Sequence, residues 1–156
     1  LNLPPSPVQV CSDKLAPQAI VDLCCAYPNE ITLVCLGPLT NLAMAYNIDH
    51  GLPAKLKNLY IMGGDRAEMT ENNCKDYAEF NFYSDPLAAQ IVLNNFGLEP
   101  AVPLVLVDWT LCLKYPILGS FFDNIANSLS VKKKNCIMGK LFSARPPSYA
   151  NDKTTP

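Results

Sequence analysis

The sequence predicts an α/β architecture, a parallel β-sheet with flanking helices, from three observations. Short apolar runs recur at Ile31 to Leu36, Leu59 to Met62 and Ala101 to Val107. Segments of helical composition separate them, and the runs are followed by Gly37-Pro38, Gly63-Gly64 and Asp108 in turn, the last read as an orienting group rather than a ligand. Continuous apolar runs are what strands buried on both faces require, and strands alternating with helices imply crossover connections and hence a parallel sheet. Ligands in such sheets bind beyond the carboxyl ends of the strands. Gly37, the loop opened by Gly63-Gly64, and Asp108 are therefore expected at one rim, around one crevice.

Each element has its own signal. Ala16 to Ala26 carries apolar residues at Ala16, Ile20, Leu23 and Cys24, with Ser12 and Asp13 as cap candidates and Pro17 near the first turn, which predicts a helix. Pro28-Asn29 punctuates the chain before the first strand, and Leu39 to Tyr46 resumes helical composition, with Thr40 and Asn41 as its expected caps. After Gly63-Gly64 a polar stretch runs to Tyr77, too long for an ordinary connection, and such loops tend to carry function. Asp85-Pro86 predicts an N-cap followed by a first-turn proline, opening a helix through Ala88, Ala89, Ile91, Val92 and Leu93. Tyr115 to Met138 reads as mostly helical and Arg145 to Pro156 as loop. No repeat or linker marks a second domain, so residues 1–156 are expected to form one.

Composition excludes several function classes. Of 156 residues, 49% are hydrophobic and 17% charged, enough apolar material for a globular core. A net charge of −2 argues against a phosphate-backbone partner, and Lys132 to Lys134 reads as a solvated helix end, so no nucleic acid is expected. No apolar segment reaches the roughly 20 residues that span a bilayer, so no membrane partner is expected either. The seven cysteines form an odd set with no CxxC pair and one histidine, His50, which reads as a surface turn residue. They read as reduced thiols, with adjacent Cys24 and Cys25 in the core, and cytoplasmic placement is the default.

The chemistry lies in the long loop and its exit. In Ala78-Glu79-Phe80-Asn81 an extended backbone would turn Glu79 and Asn81 to one side and Phe80 to the other. With Asn73, this gives a carboxylate and two amides, a set suited to gripping sugar hydroxyls through paired hydrogen bonds.

Leu36-Gly37-Pro38-Leu39-Thr40-Asn41-Leu42-Ala43 resembles the GPLTNLA signature of the inosine-uridine nucleoside hydrolases. Met62-Gly63-Gly64, then Ala78-Glu79-Phe80-Asn81, then Asp85-Pro86 with Ala88-Ala89, is similar to that family's MGG, AEFN and DPEAA blocks in the same order, and Val107-Asp108-Trp109-Thr110 to its LDxT step. Three blocks in order over Ile31 to Thr110 are specific, where one alone would be weak.

The resemblance implies a Rossmann-like parallel sheet forming part of a nucleoside hydrolase fold, and an enzyme that, in its complete form, hydrolyses ribonucleosides to base and ribose. It implies that Asn73 and Glu79 hold the 5′-hydroxyl, with Asn72 as the alternative to Asn73, and that Asn81 holds the lower hydroxyls. It also implies a calcium ion bound by aspartates and by the backbone carbonyl of Leu36, with Asp152 as a candidate ligand. The family's DxDxxxDD segment, which supplies the aspartate base, has no counterpart here and is expected upstream of Leu1, so no catalytic residue is assigned. This chain alone is accordingly expected to bind calcium poorly. The rival reading is a catalytically dead short form that binds or assembles with another copy or a full-length subunit.

Overall fold

In the computed structural model, residues 13–65, 74, 78–97, 102–115 and 121 are described. The chain divides into two compact units, Cys11–Tyr115 and a second made of Leu1–Val10 with Pro116–Pro156. The first unit holds three strands, β1 (Thr32–Cys35), β2 (Asn58–Met62) and β3 (Leu104–Val107). Its helices are α1 (Ala16–Ala26), α2 (Thr40–Ile48), α3 (Phe80–Ser84), α4 (Pro86–Phe96) and α5 (Trp109–Lys114), with a 3-10 turn at Leu52–Lys55. Of the second unit only Phe121 is described, so the expected helix over Tyr115 to Met138, the loop from Arg145 and the Lys132 to Lys134 run lie outside the described residues.

The strands form one parallel sheet in the order β1-β2-β3. Thr32 stands opposite Asn58 and Cys35 opposite Ile61, while Leu59 stands opposite Leu104 and Met62 opposite Val107. Gly37, Gly63 and Asp108 follow the carboxyl ends of parallel neighbours, so they share one rim, as the apolar runs predict.

One expectation is corrected. The strands are not buried on both faces: Leu59 and Ile61 are fully buried, but Val34, Tyr60 and Val105, which stand side by side across the sheet, are 55%, 39% and 44% exposed. Successive side chains on a strand point to opposite faces. Helix α2 packs against both α1 and α4, and all three share one core with Leu59 and Ile61, so among the described residues the helices cover a single face. An apolar run in sequence does not distinguish a strand with two covered faces from one with a covered and an open face.

Helix α1 has the predicted bounds but a different buried stripe. Pro17, Val21 and Cys24 face the core, whereas Ala16 and Leu23 are exposed. Its cap position is Leu15 rather than Ser12 or Asp13, and no side chain caps it. The helix starts at the first-turn proline, whose missing N–H removes one donor that a cap would otherwise satisfy. Cys25, expected in the core, is exposed, because the helix turns about 100° per residue and only Cys24 lies on the packed side. His50 is exposed, its ring edge-on to Tyr46 at 4.8 Å.

Candidate functional site

The rim is organised by one buried carboxylate. Glu79 is 3% exposed and sits at the N-cap of α3 with extended backbone. Its Oε1 accepts the Asn81 backbone N–H at 2.9 Å, and its Oε2 accepts the N–H groups of Phe82 at 3.1 Å and Gly64 at 2.9 Å. A buried charge is tolerable only with such partners, and here one side chain starts a helix and pins the glycine loop after β2.

Asn81 is also buried, and its Nδ2 donates to the Met62 carbonyl at 3.0 Å, the last residue of β2. The expected extended stretch is corrected: Phe80–Ser84 is helical, because Glu79 is an effective cap and the chain turns immediately after it. The expected sidedness nevertheless holds, with Glu79 and Asn81 inward and Phe80 53% exposed.

The glycines are needed for contact as well as for the turn. A Cβ at Gly63 would lie 2.4 Å from the Phe82 ring, and one at Gly64 would lie 2.9 Å from it. Gly64 also has φ of 72°, in the left-handed region that side chains disfavour. The loop is stitched to the third strand by Gly63 N–H donating to the Val107 carbonyl at 3.1 Å and Trp109 N–H donating to the Gly64 carbonyl at 2.9 Å. The Thr110 hydroxyl donates to Asp65 at 2.6 Å. Asp108 caps α5, accepting the Leu111 N–H at 2.7 Å. Burial first, then the charges of Asp108 and Glu79, push the Cys112 thiol upward.

A cleft of about 540 Å³ opens here, lined by Gly64, Asp65, Glu79, Phe82, Tyr83 and Asp108 among others. That volume lies in the range of small-molecule sites. The expected convergence is met on two strands of three, since Gly37 does not line this cleft and has nothing within 4 Å of an added Cβ. Asn81 and Leu36 do not line it either. Sequence reasoning missed Asp65 and Tyr83 as wall residues; the position of Asp65 directly after Gly63-Gly64, at the strand rim, was the available signal.

The caps expected after Gly37 are corrected too. Leu39 occupies the cap of α2 without a side-chain bond, and the Thr40 hydroxyl donates instead to Asp85, the N-cap of α4. That bond, then the Ala88 N–H, holds the Asp85 carboxyl below its ordinary range. Asn73, its alternative Asn72, and Asp152 lie outside the described residues. Leu36 is 75% exposed at the end of β1, and among the described residues no group of three or more His, Cys, Asp or Glu side chains could hold a metal. One carbonyl falls well short of the six to eight oxygens that calcium takes, so the described residues by themselves do not fit that ion.

The cleft thus opens at the carboxyl edge of a parallel α/β sheet, beside a glycine loop and a buried carboxylate, the edge at which layered α/β folds hold their ligands. The model of the inosine-uridine preferring nucleoside hydrolase family matches residues 2–153, and the chain belongs to that family. It is 39% identical over 95 residues to uridine nucleosidase 1 of Arabidopsis thaliana, covering 61% of this chain and 27% of that protein. It is 37% identical over 95 residues to the inosine-uridine preferring nucleoside hydrolase of Leishmania major, covering 60% of this chain and 29% of that protein. Among solved structures it superposes on the plant nucleoside hydrolase PpNRh1 with a TM-score of 0.74 at 26% identity, over 97% of this chain and 45% of that one. The chain thus spans less than half the length of each of these relatives. Among the described residues no helix is long and apolar enough to cross a membrane.

Proposed function

We propose that the protein is a ribonucleoside N-ribohydrolase in its complete form, and that this chain supplies the sugar-facing wall of its site. The observation that carries the reading is the buried Glu79 carboxylate, which lines the cleft and is fixed there by the Gly64 backbone N–H, with buried Asn81 two residues further on held by the Met62 carbonyl. Hydrolysis of an N-glycosidic bond passes through a ribosyl cation-like state, which a negative, rigid rim stabilises better than the neutral sugar. The described donors use three of the roughly four acceptor positions of the Glu79 carboxylate, leaving one for a hydroxyl. In this reading Glu79, with Asn73, holds the 5′-hydroxyl, and Asn81 holds the lower hydroxyls. The ion of the complete enzyme is proposed to be calcium, with the Leu36 carbonyl and Asp152 as this chain's contributions, and the compartment the cytoplasm.

A second reading, a short form that assembles with another copy or a full-length subunit, is favoured by the exposed row Val34, Tyr60 and Val105. The test is kinetic. In the longest reading frame containing this chain, Glu79→Ala and Asn81→Ala are expected to lower kcat/KM for inosine and uridine by roughly ten- to hundredfold, the equivalent of about 1–3 kcal/mol per lost hydrogen bond. Rates are normalised to the folded fraction by circular dichroism. Unchanged kinetics in both variants would refute the assigned roles. Absence of base release from that full frame would favour the assembly reading.

A further inference from the structure

At the end of the sheet opposite the glycine rim, an exposed thiol and an amine meet. Cys25 lies in the last turn of α1, and Lys55 ends the 3-10 turn just before β2. The Lys55 Nζ donates to Cys25 Sγ at 3.2 Å and is ion-paired to Asp49, and the Cys25 thiol lies 3.9 Å from the same Asp49 oxygen. The partners are held from separate parts of the chain. The Asn29 N–H donates to the Lys55 carbonyl at 2.8 Å, the Lys57 N–H donates to the Ile31 carbonyl at 2.8 Å, and the Asp49 carboxylate also accepts the Gly51 N–H at 2.9 Å. Neighbouring Cys24 is 1% exposed with its thiol pushed up by burial, so of the adjacent pair only Cys25 is open to a reagent from solvent.

We infer that Cys25 and Lys55 form an oxidant-driven covalent link, a sulfenamide between Sγ and Nζ, with hydrogen peroxide as the oxidant. The reacting atoms are in contact already, so the link needs side-chain adjustment and no change of fold. In the first step the Cys25 thiol releases its proton to solvent and the resulting thiolate attacks one peroxide oxygen; the S–O bond forms, the O–O bond breaks, and the departing hydroxide takes a proton from the Lys55 ammonium to become water. Asp49 first, and then Cys25, hold the Lys55 amine above its ordinary range, so it enters as the proton donor. Having given that proton, the neutral amine attacks the sulfenic sulfur; the S–N bond forms, the S–O bond breaks, and hydroxide leaves with a second nitrogen proton as water. Sulfur loses two electrons, peroxide gains them, and two waters are released. The product ties the end of α1 to the start of β2, and a thiol reductant reverses it.

The 156-residue chain should be treated with hydrogen peroxide and digested. The expected product is a peptide joining the Cys25 and Lys55 segments, lighter than their sum by two hydrogens and lost on reduction. Lys55→Arg keeps the positive charge but withholds the nucleophilic amine, so it should lose the linked peptide and instead let a sulfenic-acid trap label Cys25. Cys25→Ser should lose both signals. In concentrated urea, where the 3.2 Å contact no longer exists, the wild-type link should not form. Each variant is checked for native circular dichroism. A folded wild-type chain that gives only trapped or over-oxidised Cys25, or a link that survives Lys55→Arg or forms equally in urea, would overturn the inference.

Discussion

Two glycine turns follow two neighbouring strands, and they differ in every contact. Gly37, after β1, meets no described residue where a side chain would stand, whereas Gly63 and Gly64, after β2, are pressed against Phe82 and tied to Glu79, Val107 and Trp109. In sequence both are a glycine ending an apolar run. The first serves the path of the chain, and the second also permits a close approach between the loop and the helix that carries the candidate sugar-binding residues. A glycine therefore marks a closely packed rim when a distant element occupies the space its side chain would have taken.

The largest expected effect comes from the group that builds the crowded turn. Glu79→Ala leaves three backbone N–H groups without their buried acceptor, and a loss of about 3 kcal/mol is expected in the urea unfolding free energy. A loss under about 0.5 kcal/mol would mean that solvent replaces the carboxylate and that the turn is not held by it.

Next in size is Gly63→Ala, whose new methyl must displace the Phe82 ring, at a cost of about 2 kcal/mol. In a Phe82→Ala background the same substitution should cost much less, since the ring is gone, and this double-mutant cycle sharpens the comparison directly. Equal costs in both backgrounds would show that the collision is not the reason for glycine.

On the open side, the Thr40 to Asp85 bond is the tether, and pH tests it. The Asp85 carboxyl is held below its ordinary range in the folded chain, so its stabilising contribution is complete above the ordinary aspartate value of about 3.9 and is lost as pH falls through the lower folded value. Thr40→Val, which removes the principal cause of that lowering, should flatten the acid side of the stability profile while leaving the turn after β2 intact. An unchanged acid limb would remove Thr40 as the cause. The smallest effect is expected for Gly37→Ala, within about 0.5 kcal/mol, because among the described residues beyond its chain neighbours no atom lies within 4 Å of the new methyl. A thermal unfolding shift as large as that of Gly63→Ala would break the contrast between the two turns.

The sequence by itself determined the local elements and their order: the apolar runs that became β1, β2 and β3, the Asp85-Pro86 start of α4, and the family blocks around Gly37, Gly63 and Glu79. These are properties of neighbouring residues, set by periodicity, capping and proline geometry. Tertiary structure alone decided which sheet face the helices cover, and hence that Tyr60 is exposed while Ile61 is buried. It also decided that Phe82 fills the space beside Gly63, that Glu79 caps a helix and grips Gly64, and that the lysine of one turn meets the thiol of another helix. The physical reason is that these contacts join segments distant along the chain: each residue's local pattern fixes its own backbone, and only the packed path fixes which remote group completes its hydrogen bonds and fills the space beside it.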